Sequence, residues 1–114
     1  MIARTWQVWA HIDHWIDGDT FSGWTDLGCR IYLGTCDHPI RFRCARINAP
    51  ELNTGQPGTE ATAYARQLAP PGDYPATSTG LDEYGRPLLD LHLPDGRLFS
   101  DAMLTADHAR PYLE

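Results

Sequence analysis

The stretch Arg41-Phe42-Arg43-Cys44-Ala45-Arg46-Ile47-Asn48-Ala49-Pro50-Glu51 decides the fold. It opens as a strand and closes on a break. Side-chain alternation puts Arg41, Arg43, Ala45 and Ile47 on one face and Phe42, Cys44 and Arg46 on the other. Pro50 has no N–H for a sheet ladder and pushes Ala49 into an extended conformation, so the strand is expected to end there. The break leaves the Asn48 amide and the Glu51 carboxylate just past the strand that carries Arg43. An arginine and a carboxylate at a strand end usually form nothing more than a surface ion pair. Here the rest of the chain supplies matching parts.

Upstream, Trp6, Val8, Ala10 and Ile12 alternate with Gln7, Trp9, His11 and Asp13, so Thr5 to Ile16 reads as a first strand. Asp17-Gly18-Asp19 reads as a turn, its glycine freeing the backbone for positive φ, and Thr20-Phe21 restarts a strand. Arg30 to Leu33 is strand-like and Gly34 to Pro39 is a loop, with Ile40 to Ile47 as the return strand. Downstream, Leu52 to Gly58 is a loop, and Thr59 is placed to cap a helix from Glu60 to Leu68 that buries Ala61, Tyr64, Ala65 and Leu68. Tyr74 to Ser78 is a short strand, and Thr79 to Pro87 is a polar loop. Leu88 to Leu93 is a strand with Leu89, Leu91 and Leu93 inward, and Pro94-Asp95-Gly96 turns it back. Ser100 is expected to cap a last short helix through Ala106, with Asp107 where a glycine would end it more comfortably.

At 114 residues the chain makes one domain, 1–114, with room for one core. No apolar run is long enough to span a membrane. His11, Asp13 and His14 stand where a signal peptide needs an apolar stretch, so a cytoplasmic location is expected. The formal net charge is −6, and all 9 basic residues are arginine. That balance excludes a protein that coats duplex nucleic acid through a basic face. It leaves room for local arginine forks, which match phosphate oxygens in pairs. Cys29, Cys36 and Cys44 are an odd number and read as free thiols. Together with His38 they lack the close Cys-x2-Cys pair of a zinc site.

Phosphodiester cleavage needs cations aimed at the charge that develops on phosphate oxygens, and a group that activates water. Arg43 and Arg86 suit the first need, and Glu51 suits the second. Asp19 suits a hard metal ion. Asp-Gly-Asp-Thr at 17–20 is followed by Arg-Phe-Arg at 41–43 and Asn-Ala-Pro-Glu at 48–51. Gly-x-Glu-Ala at 58–61 and Asp-x-Tyr-Gly-Arg at 82–86 come next. In this order the motifs resemble the staphylococcal nuclease (thermonuclease) family, from about Val8 to Tyr112.

The resemblance implies a mainly β, α+β fold: a five-stranded Greek-key barrel of the oligonucleotide/oligosaccharide-binding (OB) type, which the expected strands and helices also suit. It implies that Arg43, Arg86 and Glu51 are catalytic. It also implies that Asp19, Asn48 and the Ala49 backbone carbonyl hold Ca²⁺, with Asp17 supporting the metal from behind those ligands. Tyr84 and Tyr112 would position the nucleotide. The implied activity is calcium-dependent cleavage of DNA or RNA, single strands preferred, leaving 5′-hydroxyl and 3′-phosphate ends.

Three departures stand out. Asn48 replaces an aspartate of the family's best-known member, which weakens the expected calcium site. Ser22 to Pro39 is longer than its counterpart and reads as an extended exposed hairpin, a substrate or partner contact being the alternative. The chain reaches Glu114 without the family's further C-terminal helix. With the acidic balance, these departures define the competing expectation of a catalytically silent module that binds nucleic acid or a protein partner.

Overall fold

A computed structural model describes residues 6–51 and 55–112. The elements in chain order are β1 (Trp6–Asp17), β2 (Thr20–Gly28), β3 (Ile31–Leu33), β4 (Ile40–Cys44), β5 (Ile47–Asn48), α1 (Gln56–Leu68), β6 (Gly72–Leu81), β7 (Pro87–Leu91), α2 (Phe99–Thr105) and β8 (Arg110–Pro111). Strands β1, β6, β7, β4 and β2 hydrogen-bond in that order, and β2 pairs back onto β1, closing a five-stranded barrel. The β4–β7 pair is parallel and its neighbours are antiparallel. This is an OB-like barrel with two short helices, as expected. Among the described residues no helix is long and apolar enough to cross a membrane.

The alternation of β1 fills the barrel with Val8, Ala10 and Ile12. A register shift between Ile12 and His14 then moves the pattern by one residue, and Trp15 turns inward at 4% exposure. Its indole Nε1 donates to the Ala69 carbonyl at 2.8 Å, and its ring stacks on Phe99 at 4.8 Å. Gly23 permits this bend: a Cβ there would lie 1.9 Å from the His11 carbonyl oxygen. Phe21, Phe42, Leu89, Leu91 and Met103 complete the core.

The deciding stretch is shorter as a strand than the sequence suggests. Strand β4 stops at Cys44, and Arg46 enters the left-handed region at φ 69°. The chain turns at Ala45-Arg46 and resumes as β5, which pairs with β8. Burial therefore does not separate the two expected faces: Phe42, Arg43, Cys44, Ala45 and Ile47 are all buried.

Helix α1 starts at Gln56, so Thr59 lies inside its first turn and donates to the Gly55 carbonyl at 3.1 Å, not at the expected cap. Pro57 accounts for the earlier start, since its missing N–H has no partner to lose there. Of the expected loop, Leu52-Asn53-Thr54 lies outside the described residues, as does Thr5. Ala61 and Ala65 are buried, while Tyr64 and Leu68 pack at the edge of the core. Strand β6 is longer than the expected Tyr74–Ser78, because its two ends pair with β1 and β7. Ser100 makes no cap for α2; its hydroxyl donates to the Ala45 carbonyl at 2.8 Å and ties the helix to the turn after β4. Asp107 takes φ 61° just after α2, the left-handed position expected for it.

Candidate active site

The Asp17-Gly18-Asp19 turn sits at one mouth of the barrel, and its glycine is there for packing. Gly18 does not adopt the positive φ expected for it. A Cβ on it would come within 3.0 Å of Ala49 Cβ, 3.1 Å of Ala61 Cβ and 3.2 Å of Met103 Cε. The close approach seats the turn against α1 and against the backbone after β5.

Asp19 is 5% exposed. Its Oδ1 accepts from the Thr20 hydroxyl at 2.9 Å, and its Oδ2 accepts from the Ala49 N–H at 2.8 Å. The second bond pins the Asn48-Ala49 segment to the turn. The Cys44 N–H donates to the Asp19 carbonyl at 2.7 Å, so backbone and side chain of Asp19 both clamp the end of β4.

Arg43 pairs with Thr20 across the β2–β4 ladder and is 7% exposed. Its Nη2 donates to the Ile47 carbonyl at 3.1 Å and the Asn48 Oδ1 at 3.2 Å, and it lies 3.5 Å from Asp19 Oδ2. A buried charge tolerates desolvation only with such partners. Tyr112 stands over the same guanidinium, with Arg43 Cζ 5.1 Å from its ring centroid. The Tyr112 N–H donates to the Arg46 carbonyl at 2.9 Å, so the β5–β8 pairing places that ring.

Arg86 arrives on a different device. Residues 82–86 form the turn between β6 and β7, closed by the Asp82 N–H donating to the Arg86 carbonyl at 2.9 Å, with Gly85 at φ 80°. Asp82 Oδ1 accepts the N–H groups of Tyr84 at 2.9 Å and Arg86 at 2.8 Å. Its Oδ2 accepts Arg86 Nε at 2.7 Å. Burial alone would raise the Asp82 carboxyl, but the backbone and side-chain hydrogen bonds from Arg86, the Tyr84 N–H and the Arg86 charge together hold it below its ordinary value. Arg86 also lies against the face of Tyr84, 5.4 Å from its centroid.

These elements converge on one cavity of about 230 Å³. Asp17, Asp19, Arg43, Asn48, Ala49, Glu51, Tyr84, Arg86 and Tyr112 all line it. Every site residue expected from the sequence is therefore brought together. Thr20, Asp82 and Glu83 line it as well, and sequence reasoning assigned them no role. The signal for Asp82 was present: an aspartate four residues before an arginine, around a Tyr-Gly turn, is the spacing of a self-closing loop. Glu51 is exposed at the edge of the cavity, past Pro50.

Among the described residues, the charged and polar groups around the cavity are oxygen donors and guanidinium groups, with no histidine or cysteine. Hard oxygen donors suit Ca²⁺ or Mg²⁺ and not a thiophilic metal. Among the described residues, no three His, Cys, Asp or Glu side chains form a ready metal cluster. A cation here would draw on the Asp19 carboxylate, the Asn48 amide oxygen and the Ala49 carbonyl, a donor set that fits calcium with little charge. Cys44 is in the core, its thiol pushed well above the ordinary value by burial and then by Asp19, while Cys29 and Cys36 are exposed. No family model matches the chain, and no curated protein matches it.

Proposed function

We propose that this protein is a calcium-dependent phosphodiesterase of the staphylococcal nuclease type, acting on single-stranded DNA or RNA. One observation carries the reading: two guanidinium groups, Arg43 and Arg86, share a single cavity with Asp19, Asn48 and Glu51. Paired guanidinium groups bind and neutralise a phosphate whose equatorial oxygens gain charge in the transition state. Glu51, at the exposed edge, takes a proton from the attacking water. The water oxygen bonds to phosphorus, the P–O5′ bond breaks, and the departing 5′-oxygen is protonated from solvent. A 3′-phosphate and a 5′-hydroxyl result. Tyr84 and Tyr112 offer ring faces to unpaired bases beside the phosphate. Calcium, held by Asp19, Asn48 and the Ala49 carbonyl with Asp17 behind them, would add positive charge at the phosphate.

Asn48 favours a second reading, a silent module that binds nucleic acid or a protein partner. Its neutral Oδ1 already accepts from Arg43, where a second carboxylate would strengthen a cation site. Calcium affinity in the range of about 10⁻⁴ to 10⁻³ M is expected, and Asn48→Asp should tighten it. Equal affinity in the two proteins, measured by calorimetry, would remove Asn48 from the ligand set.

Cleavage of a fluorescent single-stranded DNA in millimolar CaCl₂ and in EDTA, with Glu51→Gln and Arg86→Ala alongside, decides between the readings. Calcium-dependent cleavage lost in both variants supports the enzyme. A folded protein that binds the oligonucleotide without cutting it in any metal supports the silent module. Neither cleavage nor binding points to a protein partner.

A further inference from the structure

A second concave site lies on the outer wall of the barrel, toward the other end of the β1–β2 hairpin. It is a cavity of about 460 Å³ lined by Trp9, His11, Trp24, Asp26, Tyr32 and Asp73. Strand register builds it from two cross-strand rows. In one, His11 of β1 stands opposite Asp73 of β6 and Trp24 of β2. In the other, Trp9 stands opposite Asp26, and Asp26 stands opposite Tyr32 of β3. Trp9 lies eight positions before Asp17, roughly 25 Å along an extended strand from the candidate active site.

Large aromatic rings are held open to solvent here. Trp9 is 58% exposed and Tyr32 is 56% exposed. The Trp24 ring lies parallel to His11, with centroids 4.1 Å apart and planes at 12°. His11 Nδ1 is held by Asp73 Oδ1 at 2.6 Å, and Asp26 Oδ1 accepts the Gly28 N–H at 2.8 Å. Among the described residues, no hydrogen bond engages the second oxygen of either carboxylate. Among the described residues, no arginine lines the cavity. Ring faces carry negative potential, and the two carboxylates add to it, so the site is complementary to an organic cation. A phosphate backbone would meet repulsion there, in a chain whose net charge is already −6.

We propose that this wall binds the guanidinium group of an arginine side chain presented by a partner protein. The planar guanidinium stacks on Trp9 or Tyr32 while its N–H groups reach Asp26 and Asp73. An ammonium group is more strongly hydrated and does not combine stacking with a fork of donors. The proposal is independent of the phosphodiesterase reading.

The test is a titration of ¹⁵N-labelled protein with a blocked Gly-Arg-Gly-Arg-Gly peptide, with its lysine and citrulline counterparts, and with a short oligothymidylate in EDTA. The arginine peptide should move the indole N–H signals of Trp9 and Trp24 and leave that of buried Trp15 in place. Citrulline keeps the shape without the charge and should bind at least about tenfold more weakly. Trp9→Ala and Asp26→Asn should each weaken binding about tenfold with an unchanged circular dichroism spectrum, and Glu51→Gln should leave it unchanged. Equal binding of citrulline, or no movement of the two indoles, overturns the site. Equal binding of lysine overturns the guanidinium assignment. Movement of the same indoles by the oligonucleotide and not by the peptide makes the wall a nucleic-acid surface and overturns the proposal.

Discussion

Arg43 and Arg86 face the same cavity and are fixed in opposite ways. The Arg43 side chain is 8% exposed, rises from a barrel strand, and donates to atoms of β5, beyond the turn that follows its own strand. The Arg86 side chain is 31% exposed, rises from a five-residue turn, and is aimed by Asp82 within that same turn. Arg43 is thus part of the barrel's end wall, and its position is set by tertiary structure. Arg86 is part of a local device whose geometry is closed over four residues. Removing a guanidinium of the first kind should disturb the fold, and removing one of the second kind should not.

The sharpest way to break this contrast is Arg43→Ala. Removing it leaves Asp19 and the Ile47 carbonyl without a buried cationic partner, and loss of one member of a buried charge network costs about 3 kcal/mol. Urea unfolding should show the midpoint falling with an unchanged slope. A loss below about 0.5 kcal/mol would mean that Arg43 is no more structural than Arg86.

How much of this was legible follows the same division. The motif positions were readable because each lies at a strand end or a tight turn, where glycine, proline and aspartate constrain the backbone locally. The roles of Val8, Ala10 and Ile12 followed from alternation, and those of Ala61 and Ala65 from helical spacing. Trp15 was not readable, because the shift that turns it inward depends on Gly23 of the neighbouring strand allowing close backbone approach. Nor was the turn at Arg46, where an arginine takes a conformation that its residue type does not announce. The turn composition around Gly18 points to a positive φ, whereas the glycine serves contact with Ala49 and Ala61, which lie far away in sequence. The aromatic wall is not legible in the sequence, because register alone brings Trp9, Trp24 and Tyr32 into adjacent rows.

A smaller effect is expected at Asp82. Asp82→Ala removes three hydrogen bonds inside the 82–86 turn, and a loss of about 1–2 kcal/mol is expected because solvent can reach the freed donors. The pH dependence carries a specific sign. Folding lowers the Asp82 carboxyl below its ordinary value, so the unfolded chain takes up this proton more readily than the native protein. Its contribution is fully present above about pH 4 and is lost as the pH falls through the lowered native value. The acid limb of the stability curve below about pH 4 should therefore be shallower in Asp82→Asn than in the unaltered protein. Parallel limbs would show that the turn does not depend on the charge.

The smallest effect on stability, and the one that isolates function, is expected at Arg86. The turn backbone is closed by the Asp82 N–H to Arg86 carbonyl bond and by the Arg86 N–H to Asp82 bond, neither of which needs the side chain. Arg86→Ala leaves both in place and removes the guanidinium bond to Asp82, in a partly solvated ion pair, and the contact with the exposed Tyr84 ring. Such pairs contribute about 0–1 kcal/mol, so the unfolding midpoint should barely move. The proposed phosphodiesterase activity should nevertheless be lost, because the second cation at the phosphate is gone. Arg86→Lys separates two explanations of that loss. A lysine restores charge without a fork aimed by Asp82, so activity that stays low in Arg86→Lys assigns the effect to guanidinium geometry. Full recovery would mean that the turn supplies only a positive charge, and that its self-closing hydrogen bonds serve the fold alone.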